Sequence, residues 1–382
     1  MTVNIIVGDN RETLKNIPDK SVHCCVTSPP YFGLRDYNMN NQIGLENTPD
    51  DFVQELVKVF QEVKRVLRDD GTLWLNLGDS YNNFRTQMGP AQSVHGKDKL
   101  NGKPEPKSKA RGWSELKEKD LVGIPWRVAF ALQSDGWYLR QDIIWEKRNP
   151  MPESVTDRCT KSHEYIFLLT KSPHYYFDHE AIKEPASGRS SGNKTHKYVD
   201  AYNNSDTEEH RTKAGLLSKS NVAYNTRNKR SVWNVATKPF KGSHFAVFPE
   251  ELVEPCILAG TSEKGCCANC GSPYKRIVKT HYQHHEKWFG DKQSVRNDRG
   301  AQGTGYNEPI GSETIGWEPS CKCDADIKPC VVLDPFGGAG TTALVAKNHK
   351  RDSIICELNP EYADIARERV LGSPIFRGLF EE

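Results

Sequence analysis

The chain has 382 residues, which at roughly 150 residues per domain predicts two domains plus insertions. Its 52 Lys and Arg against 50 Asp and Glu give a net charge of +2, which excludes a uniformly basic nucleic-acid-coating protein and an acidic tail protein. No apolar run approaches the ~18 residues that span a membrane and the N-terminus lacks a signal core, so we expect a soluble, cytoplasmic protein.

The N-terminal third alternates between predicted strands and helices. Short apolar segments at 4–7 and 22–26 predict strands, and the second ends at Thr27-Ser28-Pro29-Pro30-Tyr31, where two prolines stop regular structure. Apolar residues at helical spacing predict a helix over 51–68, and 72–77 follows as a strand. This alternation is typical of a parallel α/β sheet.

The middle of the chain contains two polar segments. Residues 82–120 show no hydrophobic period, which predicts a long surface loop. A helix over 125–132 and strands at 142–145 and 165–169 follow. The segment 183–230 has ten Lys and Arg against five Asp and Glu, a local charge of +5, with tyrosines interleaved.

The C-terminal third contains a glycine-rich turn between a predicted strand and a predicted helix. A strand at 331–333 leads into Asp334-Pro-Phe-Gly-Gly-Ala-Gly-Thr-Thr342, a strand at 354–356 ends at Glu357, and a last helix covers 360–370. Such a turn lets the backbone approach a cofactor, and an acid about 20 residues beyond the glycines suits ribose hydroxyls. The spacing favours a nucleoside cofactor other than a dinucleotide. The alternative is a tight turn without a ligand.

The segment Thr27–Tyr31 follows a strand, at the position where open α/β sheets bind ligands. Consecutive prolines fix a carbonyl and the Ser28 hydroxyl in one orientation, and Tyr31 offers a flat face for stacking. These groups suit a planar substrate with an amino group, because two acceptors would draw the amine hydrogens and free the nitrogen lone pair. The alternative is a proline-rich loop that only ends a strand.

Five of the eleven cysteines cluster in polar, glycine- and proline-rich sequence. Cys267-Ala-Asn-Cys270 followed by glycine is a knuckle that directs two thiolates at one tetrahedral metal, and Cys321-Lys-Cys323 supplies a second pair. We therefore predict a structural zinc site, which suits a reducing compartment. Cys266 is expected to be a bystander, although it could replace Cys267.

Together, Ser-Pro-Pro-Tyr at 28–31 and the later glycine-rich motif resemble the S-adenosylmethionine-dependent DNA amino-methyltransferases. The catalytic motif comes first, as in the beta group of that family, and the resemblance covers roughly 1–82, 121–182 and 231–370. It implies a class I methyltransferase fold, which is a Rossmann-like, doubly wound and mostly parallel α/β sheet. The fold would be circularly permuted and carry an inserted recognition region and a zinc knuckle.

The resemblance also implies roles for individual residues. Catalysis is assigned to Ser28, Pro29, Pro30 and Tyr31. Among the cofactor residues, Asp9 would bond the adenine amino group, Glu357 would hold the ribose, and Phe248 belongs to a segment that closes over the methionine end. The others are Asp334, Phe336, Gly337, Gly338, Gly340 and Thr341.

The implied reaction is methyl transfer from S-adenosylmethionine to an exocyclic amine in double-stranded DNA, on a base swung out of the duplex. Serine at position 28 favours the N4 amine of cytosine, whereas the N6 amine of adenine is the alternative, since those members more often carry Asp there. Methylation at cytosine C5 needs a Cys nucleophile, which 28–31 lacks. A catalytically silent, zinc-containing DNA-binding protein is the alternative from another class.

We predict three parts of the chain. Residues 1–182 form the catalytic half with the 82–120 loop, 183–235 form the target-recognition insertion, and 236–382 form the cofactor-binding half with a zinc-binding insertion at 262–328. Cations of the basic segment would hold phosphates while tyrosines or asparagines reach bases, unless the segment is a solvated insertion. A cognate restriction enzyme is a candidate partner, and the sequence leaves monomer and dimer open.

Overall fold

The computed structural model describes residues 1–82, 116–186, 226–238, 248–285 and 306–372. For 283–285 and 306–310 only the backbone is described. The chain divides into two units. The first comprises Met1–Asp178, Arg230–Pro273 and Cys321–Glu382, and the second comprises His179–Lys229 and Tyr274–Ser320. Within the described ranges, no helix is both long and apolar enough to cross a membrane.

The described strands are, in chain order, β1 (Val3–Val7), β2 (Val22–Thr27), β3 (Leu67–Leu77), β4 (Tyr138–Lys147), β5 (His163–Thr170), β6 (Glu184–Pro185), β7 (Thr226–Arg227), β8 (Val232–Val235), β9 (Cys266–Cys267), β10 (Lys275–His285), β11 (Tyr306–Glu318), β12 (Ile327–Lys328), β13 (Val331–Asp334) and β14 (Asp352–Glu357). The described α-helices are α1 (Asn10–Thr13), α2 (Pro49–Val66), α3 (Ile124–Ser134), α4 (Glu250–Gly260), α5 (Thr341–Asn348) and α6 (Pro360–Leu371). Short 3-10 turns lie at Leu14–Asn16 and Glu180–Ile182.

The first unit is built on one eight-stranded sheet with the spatial order β1-β14-β13-β2-β3-β5-β4-β8. Neighbours from β1 to β3 are parallel, β5 is antiparallel to both β3 and β4, and β8 is parallel to β4. The first strand of the chain therefore pairs with the last, from Val3 opposite Ser353 to Val7 opposite Glu357. This mostly parallel, permuted sheet confirms the predicted fold class.

The core of the first unit lies between α2 and the sheet. All six residues of β2 are buried, and α2 buries Phe52 and Phe60 on its apolar face. Thr48 caps α2 because its side chain accepts a hydrogen bond from the Asp51 N–H at 3.1 Å. Each buried phenylalanine stabilises the fold by about 1.5–3 kcal/mol, and this burial holds α2 against the sheet.

One edge of this sheet collects the predicted site segments. The carboxyl ends of the parallel strands β1, β14, β13, β2 and β3 meet there, together with the amino end of the antiparallel β5. The Thr27–Tyr31 segment follows β2, the glycine-rich turn follows β13, and Glu357 ends β14. Open α/β sheets bind ligands at this edge.

The second unit contains a long hairpin and a short stem. Strands β10 and β11 pair antiparallel, with shifts of register after Ile277 and His281. Strands β6 and β7 also pair antiparallel, with Glu184 opposite Arg227. This stem joins the two ends of the basic segment, whose residues 187–225 lie outside the described part of the chain.

Several elements differ from the sequence predictions. The predicted helix over 51–68 ends at Val66, because Leu67 already pairs with Val22 and begins β3. The apolar patterns predict neither β8 nor the hairpin strands, which carry polar residues without a regular period. The hairpin belongs to the second unit although it falls within the predicted 262–328 insertion. The predicted domain boundaries stay a prediction, and most of the 82–120 loop lies outside the described residues.

Candidate active site

A pocket of about 760 Å³ opens at this edge of the sheet. Its size suits a small organic ligand, since such pockets typically measure about 300–1,000 Å³. The predicted catalytic and cofactor residues that line it are Asp9, Ser28, Pro29, Pro30, Tyr31, Phe248, Phe336, Gly337, Gly338, Thr341 and Glu357. Residues 245–247, the start of the predicted closing segment, lie outside the described part of the chain.

Tyr31, a predicted catalytic residue, belongs to a polar network. Its hydroxyl donates to Glu164 Oε2 at 2.6 Å, and Glu164 forms an ion pair with Lys147. The Asn76 amide donates to the same Glu164 oxygen at 3.3 Å. Burial, followed by the charge of Glu164 and the hydrogen bond to it, raises the pKa of Tyr31 well above its usual value, whereas a hydrogen bond with Ser28 lowers it. Tyr31 therefore remains protonated.

The ring of Tyr31 lies against the backbone at Gly78. A Cβ atom at position 78 would be 2.5 Å from Tyr31 Cε2, closer than packed atoms approach. Only glycine leaves room for the ring here. The segment after β3 thus packs against the Tyr31 ring.

The glycine-rich turn packs closely against the elements beside it. The Gly337 N–H donates to the Cys356 carbonyl at 2.8 Å, and the Gly340 N–H donates to the Gly337 carbonyl at 2.8 Å. Gly340 has a φ of +75°, and a Cβ there would lie 2.9 Å from Ala366 Cβ. The turn therefore requires glycine at 340 for its own packing, and Gly340 does not line the pocket as predicted.

The carboxylate of Glu357 lines the pocket and is oriented by the backbone. Its Oε2 accepts from the Gly338 N–H at 2.7 Å, and its Oε1 accepts from the Asn359 N–H at 2.8 Å. Burial raises the pKa of Glu357, while these two hydrogen bonds oppose the rise. A carboxylate has about four acceptor sites, so Glu357 can still accept from a ligand hydroxyl.

The predicted cofactor role of Asp334 is corrected by the structure. Its side chain is 1% exposed and turns into the sheet instead of lining the pocket. It accepts from the Thr27 hydroxyl at 2.6 Å, from the Thr342 hydroxyl at 2.8 Å and from the Phe336 N–H at 3.0 Å. Burial raises the pKa of Asp334 to about 6. Asp334 thus joins the strand before the catalytic segment to the glycine-rich turn.

Asp9 lines the pocket as an already paired carboxylate. It caps α1 by accepting from the Arg11 N–H at 2.9 Å, and it forms an ion pair with the Arg11 guanidinium at 2.6 Å. Burial alone would raise the pKa of Asp9, but the hydrogen bonds and charge of Arg11 lower it. The carboxylate is therefore ionised and available as an acceptor.

The N6/N4 methyltransferase family, described as DNA methylase, matches residues 22–269 and 328–368. The chain belongs to this family. It is similar to the type II methyltransferase M.SmaI of Serratia marcescens, at 38% identity over 368 residues, which cover 96% of this chain and 90% of that protein. It is 39% identical over 365 residues to M.Cfr9I of Citrobacter freundii, covering 96% and 86% of the two chains.

The fold of this DNA methylase is shared with a solved structure. The cytosine-N4-specific PvuII DNA methyltransferase superimposes with a TM-score of 0.53 at 16% identity, covering 98% of this chain and 89% of that one. The family match and the curated relatives identify the protein as a DNA methyltransferase. They set aside the catalytically silent alternative.

Three polar residues of the methylase pocket are not predicted by any sequence motif. Asn76, Lys147 and Glu164 line it, and they lie on three different strands of the sheet. Their signal in the sequence was weak, since Asn76 is a single polar residue in an apolar strand, and Lys147 and Glu164 lie among other polar residues at strand ends. Only the pairing of β5 with both β3 and β4 shows that they meet.

The methylase also brings the four predicted metal ligands together. The sulfurs of Cys267, Cys270, Cys321 and Cys323 all lie within 4.8 Å of one another. Four sulfurs bound tetrahedrally to zinc at 2.3 Å would be about 3.8 Å apart, so the donor set and its spacing fit zinc. All four are free thiols without disulfide bonds.

Cys266 belongs to a second, buried group with His23 and Cys330. The Val331 N–H donates to His23 Nδ1 at 3.0 Å, so the ring proton is on Nε2, which donates to the Gly271 carbonyl at 2.9 Å. Both ring nitrogens are thus engaged by the backbone, and this group does not offer a complete metal site. The bystander role expected for Cys266 agrees with this geometry.

Proposed function

We propose that this DNA methylase transfers a methyl group to the N4 amine of cytosine at specific sites in double-stranded DNA. The observation that carries the proposal is that Ser28, Pro29 and Tyr31 share one pocket with the glycine-rich turn and Glu357. A hydroxyl, a rigid carbonyl and an aromatic ring are the groups that an exocyclic amine on a planar base requires.

We call Ser28–Tyr31 the catalytic wall of the pocket, and the other predicted residues the cofactor wall. The cofactor wall comprises Asp9, Phe248, the glycine-rich turn and Glu357, and it fits S-adenosylmethionine. Glu357 would accept from the ribose hydroxyls, because its carboxylate is directed by Gly338 and keeps free acceptor sites. Asp9 would accept from the adenine amino group, and the apolar rings of Phe248 and Phe336 would contact the body of the cofactor. When bound, S-adenosylmethionine supplies an electrophilic methyl group on a sulfonium.

The chain's own groups would orient the target amine. The base is buried in duplex DNA and must swing out to enter the pocket. Tyr31 would then stack on it, while the Ser28 hydroxyl and the Pro29 carbonyl accept the two amine hydrogens. The nitrogen lone pair is left free as the nucleophile, and most of the acceleration would come from proximity and orientation.

Serine at position 28 supports cytosine N4 over adenine N6, since a hydroxyl stands where N6-specific members more often carry a carboxylate. Mass spectrometry of nucleosides from DNA incubated with the enzyme and S-adenosylmethionine tests the choice. We expect N4-methylcytosine. N6-methyladenine as the product would overturn the proposed target while leaving the family assignment intact.

We further propose that Cys267, Cys270, Cys321 and Cys323 bind one structural zinc ion. The support is their mutual spacing within 4.8 Å and their chemistry as four free thiols. The turn that carries the first pair is joined to the sheet, because Arg68 donates to the Cys270 carbonyl at 2.7 Å. Zinc would thus stabilise a part of the chain that packs on the catalytic half.

The proposed DNA-recognition region is the 183–235 insertion, with the 82–120 loop as a second candidate. Its stem is stabilised by the Glu184–Arg227 ion pair at 2.8 Å. Within the same unit, Ser312 of the hairpin accepts from Lys183 at 3.1 Å and donates to Glu180 at 2.8 Å, so we include the hairpin in the proposed region.

A cognate restriction enzyme is the proposed partner, and the proposed location is the cytoplasm of a bacterium, an archaeon or a phage-infected cell.

A further inference from the structure

We propose that Glu164, together with Lys147 and Asn76, is a positioning network that fixes the Tyr31 ring for methyl transfer. The inference rests on the proposed function of Tyr31 in stacking the target base. None of the three residues belongs to the Ser28–Tyr31 motif, and each lies on a different strand. Glu164 joins them, because it accepts from Asn76 and pairs with Lys147, and the Tyr31 hydroxyl lies within hydrogen-bond distance of both Glu164 and Asn76.

The geometry of the network is directional. Glu164 Oε2 accepts from the Tyr31 hydroxyl at 2.6 Å and from the Asn76 amide at 3.3 Å, while its other oxygen pairs with Lys147. Asn76 also donates to the Tyr165 carbonyl at 3.1 Å, which orients its amide. The carboxylate is thus oriented from two sides and accepts from the tyrosine on a third.

Stability alone does not explain this arrangement. Glu164 is only 9% exposed, and desolvating a carboxylate and an ammonium costs free energy that their attraction often fails to recover. Replacement of such a buried ion pair by apolar residues of similar volume is often neutral or stabilising. What the charged pair adds is a fixed acceptor for one hydroxyl, in a wall of the proposed active site.

The network restricts the hydroxyl end of the Tyr31 ring, which the tyrosine's own backbone does not hold in place. A tyrosine held only through its Cβ atom can rotate about two side-chain bonds. Gly78 lies against one edge of the ring and Glu164 accepts from its hydroxyl, so the two contacts restrict rotation of the ring relative to Ser28 and Pro29. Near-attack geometry requires such placement, because small displacements of the base lower the rate steeply.

A double-mutant cycle tests whether Glu164 acts through the tyrosine hydroxyl. Tyr31→Phe keeps the ring and removes the hydroxyl, whereas Glu164→Ala removes the acceptor. We expect Glu164→Ala to lower kcat by about 10- to 100-fold in the natural sequence, the value of one hydrogen bond to a charged group. In the Tyr31→Phe background the same change should lower kcat far less. The affinity for S-adenosylmethionine, measured by calorimetry, should stay unchanged.

Two further variants keep the test sharp if Glu164→Ala folds poorly. Glu164→Gln keeps an acceptor of the same shape and should recover part of the lost kcat. Glu146→Ala removes a neighbouring carboxylate that accepts from Asn234 instead, and should leave kcat unchanged. Equal losses from Glu164→Ala in both backgrounds would overturn the inference and leave the proposed function standing. Absence of any methylated base from DNA incubated with the unmodified enzyme would overturn both.

Discussion

The pocket and the cysteine cluster of the first unit are built in opposite ways. The pocket collects side chains from distant parts of the chain, and its acids are already bonded to protein groups, as Glu357 is to Gly338 and Asp9 is to Arg11. The cluster joins two short sequence pairs whose four thiols face one another. Internal hydrogen bonds therefore give the pocket its shape, whereas a shared ion would give the cluster its shape.

The largest expected effect comes from a variant that disrupts the cysteine cluster and leaves the pocket intact. Cys267→Ser should abolish zinc binding and lower the free energy of unfolding by about 3 kcal/mol or more, because metal binding and local folding are coupled. The kcat of the remaining folded enzyme should stay close to its original value. Metal analysis by mass spectrometry and thermal unfolding measure the two effects.

The matched control for that variant is Cys159→Ser, which changes an exposed cysteine outside the cluster. It should leave both the zinc content and the melting temperature unchanged. Equal melting temperatures for the two variants would contradict the comparison. So would less than about half an equivalent of zinc in the unmodified protein.

Variants of the catalytic wall should have a smaller effect, which lowers methylation and leaves cofactor binding unchanged. Tyr31→Ala removes the stacking face and should lower methylation by about 10- to 100-fold, since stacking of one base on an aromatic ring contributes about 1–3 kcal/mol. Ser28→Ala should also lower turnover, because one acceptor for the amine is lost. The affinity for S-adenosylmethionine should hardly change in either variant. Weaker cofactor binding with unchanged turnover at saturation would show that the catalytic wall is wrongly assigned.

Local patterns in the sequence predict most of the sheet and both ligand-facing segments. A strand followed by Ser28-Pro-Pro-Tyr31, or by a glycine-rich turn, carries its chemistry within a few residues. Parallel strands then bring those segments to the same edge without further information. The pairs of cysteines were predictable for the same reason.

The remaining features depend on contacts between distant segments. Asp334 stands in the cofactor motif, but its direction is decided by Thr27, which precedes it by 307 residues. The contact between Tyr31 and Glu164 likewise requires the antiparallel placement of β5 beside β3. The hairpin strands carry polar residues, so no apolar period marks them in the sequence. No local pattern contains this information.

The smallest expected effect concerns the hydrogen bond between Thr27 and Asp334, which joins the strand before Ser28 to the glycine-rich turn. The folded-state pKa of Asp334 is about 6, above its ordinary value of 3.8, so the folded protein binds a proton that the unfolded chain does not bind between these two values. The contribution of this group to stability therefore rises as the pH falls through 6. From pH 7.5 to 5.5 the natural sequence should gain about 1 kcal/mol relative to Asp334→Asn.

The asparagine variant is a fair reference because its amide can replace the carboxylate bonds. Its oxygen can accept from Thr27 and from the Phe336 N–H, and its NH₂ group can donate to Thr342, whose own hydroxyl lies 3.2 Å from the Val26 carbonyl. Denaturant unfolding at the two pH values measures the difference, and all other titrating groups are common to both proteins. Parallel stability curves would mean that the carboxylate of Asp334 titrates at its ordinary pKa. The pocket and the cysteine cluster should also be independent. If Cys267→Ser showed the same pH dependence of its unfolding free energy as Asp334→Asn, the two sites would not be built independently.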